Sequence, residues 1–198
     1  DISRVIADIP HVTPHDWMSG LIAGFSRYRD RIEEAASVSP GVPVGEVRLR
    51  PPLPKPVNLV CMAANFLEDA AIKEPKPLNA FLKSPNCVIG NGDTVVLPPD
   101  RADIFHHEAE LALVIGREAA DVKAPDAYSH VFGYVNFIDV SARGLHQNSL
   151  FIGKSWDSFG PMGPFLVTAD EVPDPEHLSV KLWVNGELRQ NYTTADMG

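Results

Sequence analysis

The sequence predicts an α+β domain, rich in short strands, behind a small N-terminal helical segment. Short apolar runs enriched in Val, Ile, Leu and Phe recur from residue 57 onward, separated by Gly, Pro, Asn and Asp. A single stretch near the N-terminus shows a helical stripe. Many short strands with few helices argue against a doubly wound parallel sheet.

Residues 1 to 12 alternate enough for a short strand. Thr13-Pro14 then reads as an N-cap with Pro at the first helical position, and Asp16 suits the helix dipole. Trp17, Leu21, Ile22, Phe25, Tyr28 and Ile32 follow at helical spacing, predicting an amphipathic helix from Pro14 to Ala36 that packs on the main domain. Between residues 37 and 56 stand prolines 40, 43, 51, 52, 54 and 56, which resist regular sheet. The boundary is placed there, with a small segment 1–53 and a β-rich domain 54–198.

In that domain strands are expected at Val57 to Ala63, Asn79 to Lys83, Thr94 to Leu97, Ala109 to Ile115, Tyr134 to Asp139, Phe165 to Thr168 and Ser179 to Val184. Asn185-Gly186 suits a type I′ hairpin turn, with Glu187 to Tyr192 returning. Asp126 to Val131 reads as a short helix, and Gly160-Pro-Met-Gly-Pro164 as a turn.

Composition narrows the function. The 198 residues carry 17 basic and 26 acidic side chains, a net charge of −9, which disfavours a nucleic-acid groove. Cys61 and Cys87 sit in apolar settings outside any CxxC pair and read as buried free thiols of a reducing cytoplasm. No stretch approaches the roughly 18 apolar residues of a membrane span, and no signal-like segment is present.

The chemistry concentrates in Glu108-Ala-Glu-Leu-Ala-Leu-Val-Ile115. Side chains alternate along a strand, so Glu108 and Glu110 project from one face. Two like charges that close repel, and burying either alone costs several kcal/mol. A divalent cation would relieve both penalties, whereas two solvated glutamates at a strand end would need none. The pair reads as lacking a compensating Arg. A second run, Gly133 to Arg143, carries Asp139 near its end; a third, Gly153-Lys-Ser-Trp-Asp157, carries Lys154. Three oxygen donors without a Cys or His pair favour Mg²⁺, Mn²⁺ or Ca²⁺ over zinc.

Five strings, in this order, resemble the fumarylacetoacetate hydrolase family: His106 to Gly116, Phe132-Gly-Tyr134, Asp139-Val-Ser-Ala-Arg143, Gly153-Lys-Ser155 and Val184 to Gln190. The resemblance spans roughly Pro54 to Gly198. It implies a β-sandwich or roll, a homodimer, and further chain beyond Gly198. It also implies a divalent ion on Glu108, Glu110 and Asp139, with Lys154 and Arg143 near a small oxo-acid or 1,3-dicarbonyl substrate. Such an ion leaves about three of six octahedral positions for water and substrate, and polarises a carbonyl as the adjacent C–C bond breaks to an enolate. Lys154 would stabilise developing negative charge, and Arg143 would clamp a carboxylate or pair with a neighbouring acid. Lys83 either lines the site or is a surface lysine at a strand end. His146 stands where the family often has Gln, which implies a substrate contact that differs there. His107 alternates away from Glu108 and reads as a core or supporting residue.

One departure matters. Family members often carry Asn-Tyr-x-x-His followed by a Glu, a dyad that activates water. Here the stretch is Asn65-Phe-Leu-Glu-Asp69, with Ile72 at the Glu position. Either Glu68 or Asp69 moves the proton in a hydrolytic C–C bond cleavage, the first reading, or the reaction is an isomerisation or decarboxylation needing no strong base there, the second. A domain that binds metal without catalysis is the third reading, disfavoured because Lys154 and Arg143 are retained beside the acids.

Overall fold

The helical stripe near the N-terminus folds as two helices. In the computed structural model, which describes residues 5–67, 77–99, 101–145 and 149–197, α1 spans Trp17–Ala23 and α2 spans Phe25–Val38. Gly24, a poor helix former, ends the first and starts the second. Asp16 is the residue at the α1 N-cap position, and Thr13 instead donates its backbone N–H and hydroxyl to the Asp16 carboxylate. The expected strand before it is absent over residues 5–12, which turn; Ile6 and Ile9 are buried at a spacing of three. They pack with Leu21 and Tyr28.

The stripe does pack on the main domain. Ile22 joins the core of the sheet, Phe25 meets Phe132 edge-on at 5.0 Å, and Arg29 pairs with Asp170 at 2.7 Å.

The central sheet holds four strands in the order β3-β6-β5-β4: β3 is Val88–Ile89, β4 Ile104–Ile115, β5 Val131–Arg143 and β6 Gly160–Thr168. β3 and β6 run parallel and the other neighbours antiparallel. Two hairpins flank it. β1 (Leu59–Met62) pairs with β2 (Ala80–Lys83), and β7 (Ser179–Val184) with β8 (Glu187–Thr193). Asn185 and Gly186 both take positive φ at the second hairpin's tip, as a type I′ turn demands.

Two expectations fail for identifiable reasons. Thr94 to Leu97 forms no strand: Val96 N–H is satisfied by the Ser158 hydroxyl at 2.7 Å, and Pro98 and Pro99 follow. The run from Gly160 to Pro164 is the first half of β6. Its ladder with β5 slips between Val135 and Phe137, and Pro164 falls in the slip, where no ladder donor is required. The short helix expected near Asp126 is a 3₁₀ helix, Ala124–His130. A short helix the sequence reading did not foresee, α3, spans Leu150–Lys154.

β5 is buried on both sides. Val135 and Phe137 join Cys61, Val114 and Met162 in one core, while Val140 and Ala142 join Cys87 and Phe159 in another. A strand enclosed this way holds its side chains in fixed positions, and Asp139 lies on it between the two cores.

Candidate metal and oxo-acid site

Register builds the site. Glu108 stands opposite Asp139 and Glu110 opposite Phe137 in the β4–β5 ladder, so the three acids share one face. That face continues into the apolar core through Phe137 and Val135. Asp139 is 1% exposed, and Glu108 and Glu110 are partly buried.

Two lysines reach the acids from other elements. Lys83, at the end of β2 and also 1% exposed, donates to Asp139 and, at 3.1 Å, to the Val140 carbonyl. It is therefore not a surface lysine. Lys154 donates to Asp139 Oδ2 at 2.5 Å and to Glu108 Oε2 at 2.7 Å, with its ammonium over the Phe81 ring at 5.2 Å. Buried ammonium groups persist only when paired, and both are paired.

α3 sets Lys154 in place. Ser149 caps its N-terminus by accepting from Ile152 N–H. Gly153 lets it lie against β5, since a Cβ there would sit 2.8 Å from the Ala142 carbonyl oxygen. The Ser155 hydroxyl then accepts from Ser84 N–H at 3.0 Å, tying the end of β2 to the end of α3. One linkage thus fixes both lysines.

The Glu pair is not without a compensating Arg. Arg143 donates to Glu108 Oε1 at 2.6 Å and to His106 Nδ1 at 3.3 Å. On β5 it lies across the ladder from the acid pair, where reading along the Glu-x-Glu strand alone does not find it. His106 and His107 are both exposed, so the core reading of His107 fails. Glu68, Asp69 and His146 lie outside the described residues.

Electrostatics separate the two glutamates. Burial pushes the Glu108 carboxyl up, but the Lys154 hydrogen bond and the Lys154 and Arg143 charges outweigh it and hold it below the ordinary range. Burial likewise acts first on Glu110, reinforced by the Asp139 and Glu108 charges, and its carboxyl is pushed up to about 7. Among the described residues no hydrogen bond engages it.

The donor set suits a divalent cation. Glu110, Asp139 and Cys61 each offer an atom, all within 4.8 Å of one another. The two carboxylates are hard donors of the kind Mg²⁺, Mn²⁺ and Ca²⁺ accept. Glu108, on the same face, is turned toward Lys154 and Arg143. Cys61 is the neighbour sequence reasoning missed. Its apolar setting predicts a buried free thiol, which it is, but β1 brings it over the acids. Tyr192 was also missed; it donates to the Ala109 carbonyl at 2.6 Å and braces the acid strand from β8.

A β-rich domain whose two longest strands carry three acids and an arginine on one face, met there by buried lysines from β2 and α3, defines a class of cation-balanced acidic sites. The model of the fumarylacetoacetate (FAA) hydrolase C-terminal domain matches residues 57–198, and the chain belongs to the fumarylacetoacetate hydrolase family. Its relatives are enzymes. It is 41% identical over 163 residues to the oxaloacetate tautomerase YisK of Bacillus subtilis (strain 168), covering 78% of this chain and 54% of that protein. It is 37% identical over 169 residues to the human mitochondrial oxaloacetate tautomerase FAHD2A, covering 82% and 54%. The chain thus spans about half the length of these relatives. Among solved structures, maleylpyruvate hydrolase from Sphingobium sp. SYK-6, in complex with manganese(II) and pyruvate, superposes with a TM-score of 0.86 at 35% identity. That match covers 100% of this chain and 70% of the other. Among the described residues no helix is long and apolar enough to cross a membrane.

Proposed function

We propose that the protein is a divalent-metal-dependent enzyme acting on small oxo-acids, and that its reaction is enolisation of a carbon beside the carbonyl. The observation that carries this reading is Lys154 placed between Glu108 and Asp139 with Arg143 beside them. Glu108, Glu110 and Asp139 would hold the ion, Mg²⁺ or Mn²⁺, with Ca²⁺ a further candidate. When bound, it supplies a Lewis acid for the substrate carbonyl. Lys154 sets a fixed positive charge where an oxyanion develops. Arg143, half exposed, can turn its free guanidinium edge to a substrate carboxylate. Lys83 is sealed behind Asp139, so its part is to hold that carboxylate in position.

Enolisation is favoured over hydrolysis because Asp69 and Ile72 replace the water-activating dyad, and because the oxaloacetate tautomerases support it. Hydrolytic C–C cleavage is the second reading, supported by the likeness to maleylpyruvate hydrolase. The test follows full-length protein with oxaloacetate and with acylpyruvates, with Mn²⁺ and with EDTA. Metal-dependent enol–keto interconversion without fragments supports the first reading, and metal-dependent release of pyruvate from acylpyruvates supports the second. No turnover of either class would overturn both.

Two finer points belong to the same reading. Exposed Val60, Met62, Leu82 and Phe151 on β1, β2 and α3 favour a homodimer, which light scattering reporting monomer alone would refute. Two buried free thiols suit a reducing compartment such as the cytoplasm.

A further inference from the structure

We propose that Cys61, Glu110 and Asp139 form a mixed sulfur–oxygen site through which the protein captures thiophilic divalent cations, Zn²⁺ and Cd²⁺, with the Cys61 thiolate as a ligand. The inference rests on the reading that the acidic face holds an ion, and it concerns a different choice of donors. Three strands supply the set: β1 the sulfur, β4 and β5 the carboxylates, their donor atoms within 4.8 Å of one another. Cys61 is 4% exposed, and among the described residues no hydrogen bond engages its thiol. Its sulfur is nevertheless beside two carboxylates, where an apolar side chain would offer an ion no donor.

Hard and soft ions would use this face differently. Mg²⁺ and Mn²⁺ take oxygen donors and leave the buried thiol protonated. A thiophilic ion forms a metal–sulfur bond as the S–H bond breaks, and the proton leaves to solvent with no change of oxidation state. Glu108, engaged by Lys154 and Arg143, stands outside this triad. An ion drawn toward Cys61 is therefore displaced from Glu108 and Arg143, and Zn²⁺ should inhibit where Mn²⁺ activates.

The experiment titrates metal-stripped full-length protein with Cd²⁺, following the ultraviolet thiolate-to-metal charge-transfer band, with Mn²⁺ affinity measured alongside by calorimetry. Wild type should develop the band at one equivalent. Cys61→Ser and Cys61→Ala should lose it and bind Cd²⁺ at least about tenfold more weakly, while their Mn²⁺ affinity stays within about threefold, which also reports that they fold. Cys87→Ala removes the other cysteine of these 198 residues and should keep the band. Mn²⁺ binding by wild type without any Cd²⁺ band overturns this inference and leaves the functional reading standing. A Cd²⁺ band with no Mn²⁺ binding does the reverse. A band that survives loss of Cys61 also overturns it.

Discussion

Glu108 and Asp139 face each other across the β4–β5 ladder, and the Lys154 ammonium bridges them at 2.7 and 2.5 Å. Asp139 has a second ammonium, Lys83, behind it, so one buried carboxylate pairs with two buried lysines, Lys154 being shared with Glu108. Removing Asp139 leaves Lys83 buried with no carboxylate and Lys154 with Glu108 alone. Asp139→Ala should therefore lower stability by roughly 3–5 kcal/mol, the usual cost of breaking a buried pair from one side. Glu108→Ala, at a partly exposed position where Arg143 can turn to water, should cost clearly less. Urea denaturation of both variants measures the difference, and equal losses would show that Asp139 is not the anchor.

Glu110 makes stability depend on pH. Its carboxyl is raised from an ordinary 4.5 to about 7 in the folded protein, by burial first and then by Asp139 and Glu108. The folded state binds this proton more tightly, so the group's contribution is full below about 4.5 and is lost as pH rises to about 7. Denaturant midpoints of metal-free protein should fall across that window, and Glu110→Gln should flatten the fall. A bound cation needs the carboxylate ionised, so Mn²⁺ affinity should weaken by about tenfold per pH unit below 7. Affinity independent of pH there would contradict the shift.

Gly153 gives a test by geometry alone. A Cβ at this position would approach the Ala142 carbonyl oxygen to 2.8 Å, so Gly153→Ala must push α3 off β5 and carry Lys154 with it. Overpacking of this kind costs about 1–3 kcal/mol. Turnover should fall further than stability explains, with kcat lowered more than KM is raised, because Lys154 would no longer reach Glu108 and Asp139 together. Parent kcat in a folded Gly153→Ala protein would show that the placement of Lys154 is not needed.

The proton-transfer group is tested by Glu68→Gln and Asp69→Asn, made separately. If a carboxylate there serves as base, one variant should lose about a hundredfold in kcat, the lower end for a general base, with metal affinity intact. Parent rates in both would move that role to another group.

Much of this was legible in the sequence, and the reasons are particular. Alternation placed Glu108 and Glu110 on one face because a strand's period of two is rigid. The Asn185-Gly186 turn was legible because a two-residue hairpin demands positive φ at both positions, and both have it. Asp139 and Lys154 came from their place among the family strings, since no local rule says that residues 108, 139 and 154 meet. The N-terminal stripe predicts a single helix because it runs unbroken past Gly24, whereas the break comes from backbone preference. What stayed hidden was pairing across the fold. Cys61 over the acids, the choice of Glu108 as the acid Arg143 pairs with, and Lys83 behind Asp139 each depend on which strands lie together, and local pattern does not encode that.

The most direct test of the acidic face as the divalent-ion site is calorimetric titration of Mn²⁺ into metal-stripped wild type, Glu108→Ala and Glu110→Ala, each first confirmed folded by circular dichroism. Wild type should bind one ion per chain. Both variants should lose affinity by roughly 100-fold or more, the upper end of or beyond what supporting residues around a metal contribute. Unchanged Mn²⁺ affinity in both variants would contradict the assignment and, with it, the enzyme built on it.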